Sequence, residues 1–325
     1  MAGYSHPGFQ KMDELSLRKA PFFFMTDFLL ENVLVFLPEE LEAKGLSFDF
    51  QNHAPAGAIT PDAKKVSLKS FPESRESYAR GFHHVKEHLS LGNSYLANYT
   101  CKTEISVNRS LAEIYAQSSA KYKVLYQDHF VLFSPETFIK INGHRVFTHP
   151  MKGTIDAAVK NAAEILKKNP KELAEHYTVV DLLRNDLSII ADDVKVTNFQ
   201  RLDYLATAQK NLIAMSSDIS GTMKPSYRGR VGNILQRLLP AGSILGAPKN
   251  KTLEIIRTAE KYDRGFYTGV CGYFDGENLD SCVMIRFIEK KGDKMYFRSG
   301  GGITHLSNLD DEYEEMKNKI YVPIY

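Results

Sequence analysis

Apolar and polar positions alternate most clearly between Phe130 and Phe147. Phe130-Val131-Leu132-Phe133 and Phe138-Ile139-Lys140-Ile141 flank Ser134-Pro135-Glu136, and Asn142-Gly143 then turns the chain into His144-Arg145-Val146-Phe147. Asn-Gly between alternating apolar positions is the strongest short-range hairpin signal. Pro150 is expected to end the second strand, Gly153 to free the backbone for a turn, and Ala157 to Leu166 to form a helix. Lys152 is thereby placed on a strand-to-helix corner, from which a long amine can reach a cleft.

Elsewhere the period changes from two to about 3.6 and back. Residues 1 to 15 read as a loose polar lead-in, and Phe22 to Phe36 as one or two strands around Asp27 to Glu31. From Glu76 to Leu91, Tyr78, Phe82, Val85 and Leu89 recur at helical spacing; Gly92-Asn93 stops that helix and Ser94 to Thr100 resumes as a strand. Pro170 opens a helix through Glu172, Glu175, Val179, Leu182 and Leu183. A second stripe, Val231, Ile234, Leu235 and Leu238, breaks into Pro240 to Lys249, where Pro248 can occupy the first turn of the next helix. Tyr267 to Phe274 reads as a strand, Cys282 to Ile288 pairs with Met295 to Arg298, and a helix carrying Glu312 and Glu315 ends the chain. Hairpins and helices alternate without βαβ regularity, so the fold class is α+β.

Composition narrows the function classes. The 325 residues are 43% hydrophobic and 25% charged, with 41 basic against 39 acidic residues and a net charge of +2. That balance offers no electrostatic footprint for nucleic acid or a membrane surface. The most apolar N-terminal run, Pro21 to Leu30, is cut by Asp27 and is too short to span a bilayer. Cys101, Cys271 and Cys282 lie far apart without metal spacing, so a reduced, cytoplasmic setting is expected. There is no repeat and no obvious linker, which favours one interlocked unit over residues 1–325.

Three constellations could carry chemistry. Lys152 and Glu136 pair an amine with a carboxyl, each useful only when its surroundings tune it; by spacing alone a solvated corner lysine and a turn glutamate are commoner. Glu172/Glu175 and Glu312/Glu315 are i,i+3 pairs, each on one helix face, and four such carboxylates suit a hard divalent ion. A single such pair is far more often a solvated face. Gly300-Gly301-Gly302 and Gly246-Ala247-Pro248 would let main-chain N–H groups meet a carboxylate, and Arg286, amid apolar strand residues, calls for a bidentate partner if buried. No dinucleotide or P-loop glycine motif is present.

Taken in order, these residues resemble the chorismate-utilising enzymes, most closely the aminodeoxychorismate synthase component I branch. The likeness runs from about residue 70 to 320 through Gly92 to Thr100, Ser134-Pro135-Glu136, Pro150 to Thr154, Asp181 to Leu187, Pro240 to Lys249, Tyr267-Thr268-Gly269, Gly300 to Ile303 and Glu312 to Glu315. Residues 1–70 resemble a shortened N-terminal region integrated into the same domain. In that family alanine precedes the Gly-Thr of the Pro150 to Thr154 motif in anthranilate and isochorismate synthases, and lysine in aminodeoxychorismate synthases, so Lys152 selects the activity.

The resemblance implies a large antiparallel β-sandwich core with helices outside. It also implies attack of Lys152 on C2 of chorismate with Glu136 as general acid, then addition of ammonia at C4. Glu172, Glu175, Glu312 and Glu315 match an Mg²⁺ site; Tyr267, Arg286, Gly301 and Gly302 match groups holding the substrate carboxylates, with Thr268 and Gly246 lining the pocket. Ammonia would come from a separate glutamine amidotransferase subunit, and 4-aminobenzoate would be released by another protein. Ala214, Leu245 and Ile155 depart from the family's usual His, Thr or Ser, and Arg. The rival activities are that of anthranilate synthase component I and non-catalytic chorismate binding.

Overall fold

The structure, a computed structural model, describes residues 6–50, 66–205 and 211–324. In chain order its elements begin with α1 (Pro7–Leu17), β1 (Phe22–Thr26), β2 (Val33–Phe36), β3 (Leu46–Phe50), β4 (Leu68–Phe71), α2 (Arg75–Ser90), β5 (Leu96–Val107) and α3 (Leu111–Gln117). Then come β6 (Tyr122–Tyr126), β7 (Phe130–Ser134), β8 (Thr137–Asn142), β9 (Arg145–Thr148), β10 (Met151–Asp156), α4 (Ala162–Lys168), α5 (Pro170–Ile190), β11 (Ala191–Leu205) and β12 (Leu212–Met223). The remainder is α6 (Val231–Leu238), α7 (Gly242–Leu245), β13 (Gly246–Ala247), α8 (Lys249–Ala259), β14 (Val270–Phe274), β15 (Leu279–Val283), β16 (Phe287–Lys291), β17 (Lys294–Ile303) and α9 (Leu309–Asn318). Contacts divide the chain into two compact units, each assembled from three separate segments and each holding one antiparallel sheet.

The first unit takes Met1–Glu40, Glu136–Ser243 and Arg264–Val283. Its sheet runs β10-β12-β9-β8-β15-β14-β1-β2, with β11 along the other edge of β12. Phe22, Phe23, Phe24 and Met25 are all fully buried, because β1 is paired on both edges and covered on both faces. That is why its sequence is a continuous apolar run without alternation. The Asn142-Gly143 hairpin forms as expected, with Asn142 opposite Arg145. Cys271 and Cys282 lie directly opposite each other in β14 and β15 as buried thiols, not joined by a disulfide, with Sγ atoms 3.4 Å apart.

The second unit takes Leu41–Pro135, Ile244–Asp263 and Met284–Tyr325. Its sheet runs β13-β5-β17-β16-β7-β6-β3, with β4 also on β5. Strand β17 pairs with β5 from Met295 to Ile303, but with β16 only as far as Arg298. Helix α2 presents Tyr78, Phe82, Val85 and Leu89 to the interior, the face its period announced. Gly81 lets that helix approach β5, since a Cβ there would lie 2.1 Å from the Tyr99 hydroxyl.

Four local expectations are corrected. Residues 7–17 are helix rather than loose lead-in: Pro7 stands at its first turn, His6 caps it, and Phe9, Met12 and Ser16 share the buried face. The chain does not turn into a helix after Pro150; β9 and β10 pair in series with successive stretches of β12, and helix begins only at Ala162. Tyr267 and Thr268 precede β14 in a turn. The stretch from Cys282 to Ile288 is two strands, split at Met284 to Arg286.

Packing between α1 and α6 supplies a stability test. A Cβ on Gly232 of α6 would fall 1.8 Å from the Phe9 carbonyl oxygen of α1, a main-chain atom that cannot swing aside. Gly232→Ala is expected to destabilise the chain by about 2 kcal/mol, within the range for overpacking, read as a lower urea midpoint. An unchanged midpoint would show that the two helices yield at no cost.

Candidate active site

Strand β10 meets β12 through a bulge. Met151 faces Ser216 and Thr154 faces Ala214, so Lys152 and Gly153 together oppose Met215 alone. Gly153 takes the left-handed conformation (φ 78°) that such a bulge needs and a side chain resists. Any Cβ there would lie 2.8 Å from Glu172 Oε2, so the α5 carboxylate packs directly over the glycine beside Lys152. Ser217 N–H donates to the Pro150 carbonyl at 3.1 Å, which keeps the ladder closed where Pro150 offers no donor. Lys152 is half-buried in this bulged strand rather than at a strand-to-helix corner.

Asn169 caps α5 through its side chain, and the helix delivers Glu172, Glu175 and His176 to one neighbourhood. Glu175 is 7% exposed, with Lys171 Nζ at 3.9 Å. His176, which the sequence reading passed over, is fully buried, and its Nε2 lies 2.7 Å from Ser217 Oγ. Its other ring nitrogen has no hydrogen-bond partner. Burial first, and the nearby Lys152 charge second, hold the imidazole neutral, its pKa lowered to about 4. The signal was available: His176 follows Glu175 directly and stands four residues after Glu172.

Glu136 is buried at the entry to β8, and its Oε1 accepts a hydrogen bond from Ser243 Oγ at 2.6 Å. Tyr267 and Thr268 are buried in the turn before β14. Thr268 has φ 63°, which is costly for a β-branched residue, and Arg264 Nη1 donates to its hydroxyl at 3.3 Å. Strained backbone of this kind gathers at functional sites.

In the second unit, Gly301 and Gly302 lie within β17, opposite Tyr99 and Asn98. A Cβ on Gly301 would sit 3.1 Å from Glu312 Oε2, 3.5 Å from Glu315 Oε1 and 3.8 Å from Lys319 Nζ, so three charged side chains converge on this glycine. Arg286 is half-buried in the break before β16 at φ 53°, with its Nε 3.3 Å from the Tyr321 hydroxyl. Gly246 belongs to the two-residue strand β13 against β5, where a Cβ would strike the Leu96 carbonyl at 1.9 Å.

Carboxylate oxygens are the donor type that a hard cation takes. Each i,i+3 pair offers carboxylate oxygens from one helix, and an ammonium already lies on Glu315. Among the described residues no group of three or more His, Cys, Asp or Glu side chains is placed to hold a metal ion. Pairs of carboxylates with the remaining positions left to water and substrate are the donor pattern of Mg²⁺. None of the described helices is long and apolar enough to cross a membrane.

Residues 37–324 match the family described as chorismate binding enzyme. The chain belongs to that family. This chorismate-binding enzyme is 44% identical over 320 residues to an uncharacterized PabA-like protein of Pasteurella multocida, with 98% of this chain and 99% of the relative covered. It is 29% identical to anthranilate synthase component 1 of Saccharomyces cerevisiae, over 80% of this chain but 54% of that one. A putative aminodeoxychorismate synthase of Schizosaccharomyces pombe is 30% identical, over 77% of this chain and 36% of its own length. Among solved structures, a putative 2,3-dihydroxybenzoate-specific isochorismate synthase from Bacillus anthracis superposes with a TM-score of 0.74 at 18% identity, covering 97% of this chain and 88% of that one. The chorismate-binding enzyme therefore has the α+β fold expected from its sequence, built on two antiparallel sheets.

The buried imidazole gives a pH test. Unfolded, His176 takes up a proton near its ordinary 6.5, whereas folded it resists to about 4. Its contribution to stability is complete above 6.5 and is lost as the pH falls toward 4. Urea unfolding of the wild type is expected to weaken across that window more than that of His176→Gln. In Lys152→Met, histidine NMR titration should place the ring higher than in the wild type. Identical pH profiles and an unmoved resonance would contradict both causes.

Proposed function

We propose that this chain is an aminodeoxychorismate synthase, converting chorismate and ammonia to 4-amino-4-deoxychorismate. The observation that carries the proposal is Lys152 itself, an amine half-buried in a bulge beside a neutral histidine and under a helix that supplies two carboxylates. Its amine form would attack C2 of the ring, shifting both ring double bonds and expelling the C4 hydroxyl as water with a proton from Glu136. Ammonia would then add at C4, lose a proton, return both double bonds and release the lysine amine.

His176 adds no positive charge beside that nucleophile, since it stays neutral well below pH 7. Arg286, Tyr267 and the N–H groups of Gly301 and Gly302 would hold the substrate carboxylates, with Thr268 and Gly246 lining the pocket. Glu172, Glu175, Glu312 and Glu315 would hold Mg²⁺, which when bound would screen the ring carboxylate from these acids. Nitrogen would be delivered by a glutamine amidotransferase subunit, and the product would lead to 4-aminobenzoate and folate.

A second reading, anthranilate synthase, is favoured by the likeness to the Saccharomyces cerevisiae enzyme of that name. It is opposed by Lys152, because an adduct at C2 blocks amination there.

The test supplies the purified chain with chorismate, Mg²⁺, ammonium at alkaline pH and added aminodeoxychorismate lyase. 4-Aminobenzoate and anthranilate are then separated by chromatography. 4-Aminobenzoate is expected, and Lys152→Ala should lower its formation by about a hundredfold or more while leaving chorismate binding measurable. Anthranilate as the product would transfer the chain to the second reading. Full turnover by Lys152→Ala would remove the lysine from the mechanism.

A further inference from the structure

The C-terminal end of α9 carries a cation of its own. Lys319 stands four residues after Glu315, and its Nζ lies 2.6 Å from Glu315 Oε1 and 2.7 Å from the Gly300 carbonyl oxygen. A carboxylate and a main-chain carbonyl are also what a hard metal ion selects from a protein. The ammonium therefore occupies the donor groups of a cation site. Glycine at position 301 leaves the space that this cluster shares, as the 3.1, 3.5 and 3.8 Å approaches to Glu312, Glu315 and Lys319 record. Glu312 is 2% exposed, so its charge depends on neighbouring cations more than that of a surface residue would.

We infer that Lys319 is a built-in competitor for the divalent ion, holding Glu315 until the ion arrives and leaving that carboxylate when it binds. The inference rests on the assignment of Glu312 and Glu315 as ion ligands. A divalent ion on Glu315 would share a small, partly buried space with the ammonium, and the two positive charges repel. Occupation by one weakens the other, by the reciprocity that binds any two coupled sites. The device sets ion affinity lower than the carboxylates alone would give. In the ion-free protein it also keeps Glu315 neutralised.

A charge-matched control lies on the same helix. Lys317 pairs with Glu314 at 2.6 Å, away from Glu315. The experiment measures Mn²⁺ affinity of the full chain without chorismate, by electron paramagnetic resonance of the free ion and by calorimetry. The wild type is compared with Lys319→Met, Lys319→Gln, Lys317→Met and Glu315→Gln, with circular dichroism to confirm folding. Lys319→Met and Lys319→Gln are expected to bind about tenfold tighter than the wild type, the size of one lost charge-assisted bond. Lys317→Met should change affinity by less than about twofold, and Glu315→Gln should weaken it. Equal affinity in the Lys319 variants and the wild type, or an equal gain in Lys317→Met, would overturn the competitor role while leaving the ion site in place. Binding that ignores Glu315→Gln, or no binding in any variant, would remove the ion assignment and the inference with it.

Discussion

Two residues opposing one across β10 and β12 is the constraint on which the first unit's candidate site depends. A regular ladder would put Lys152 and Gly153 on opposite faces, each with its own partner. The bulge instead leaves both against Met215 and needs a left-handed residue, which only glycine supplies at little cost. That glycine is also what lets Glu172 pack onto the strand. The lysine's exposure, the carboxylate's approach and the α5 register are thus consequences of one irregular pairing. Next to the bulge, Ser217 bonds the Pro150 carbonyl through its N–H and meets His176 through its hydroxyl.

How much of this could be read beforehand depends on whether the signal was local. The i,i+3 carboxylate pairs, the Pro170 helix start and the Asn142-Gly143 hairpin are set by neighbours in sequence, and each formed as expected. Pro150 does close β9, since the strand stops at Thr148. The chain then resumes as β10 at Met151 where a turn into helix was expected, because β12 continues past the proline and bonds its carbonyl. The N-terminal helix was hidden by Gly8 and Pro7, although Phe9, Met12 and Ser16 already kept helical spacing. The backbone conformations of Arg286 and Thr268 could not have been foreseen. Their left-handed backbone is imposed by tertiary surroundings, and neither residue type announces it.

Of the candidate site, the residue types were legible and their electrostatic partners were not. Glu312 and Glu315 were expected to share a face, and the structure adds the Lys319 ammonium and the glycine they converge on. An i,i+4 Glu-to-Lys spacing is usually counted as a surface pair of small worth. Here the same spacing reaches a strand carbonyl as well, because β17 carries no side chain at Gly300 or Gly301. In the first unit the missing partner was His176. Ala214 drew notice as an absent histidine, while an imidazole in the adjoining helix already reached Ser217 on the same strand.

Gly246 has a packing role whatever else it does in this protein. Its α-carbon abuts the Leu96 carbonyl of β5, and β5 sets the register of the whole glycine run in β17. A side chain at 246 would push on β5 and so displace Gly300 to Gly302. Weakened binding in such a variant would report a strand moved out of line, and the strand opposite would be the place to look for the damage.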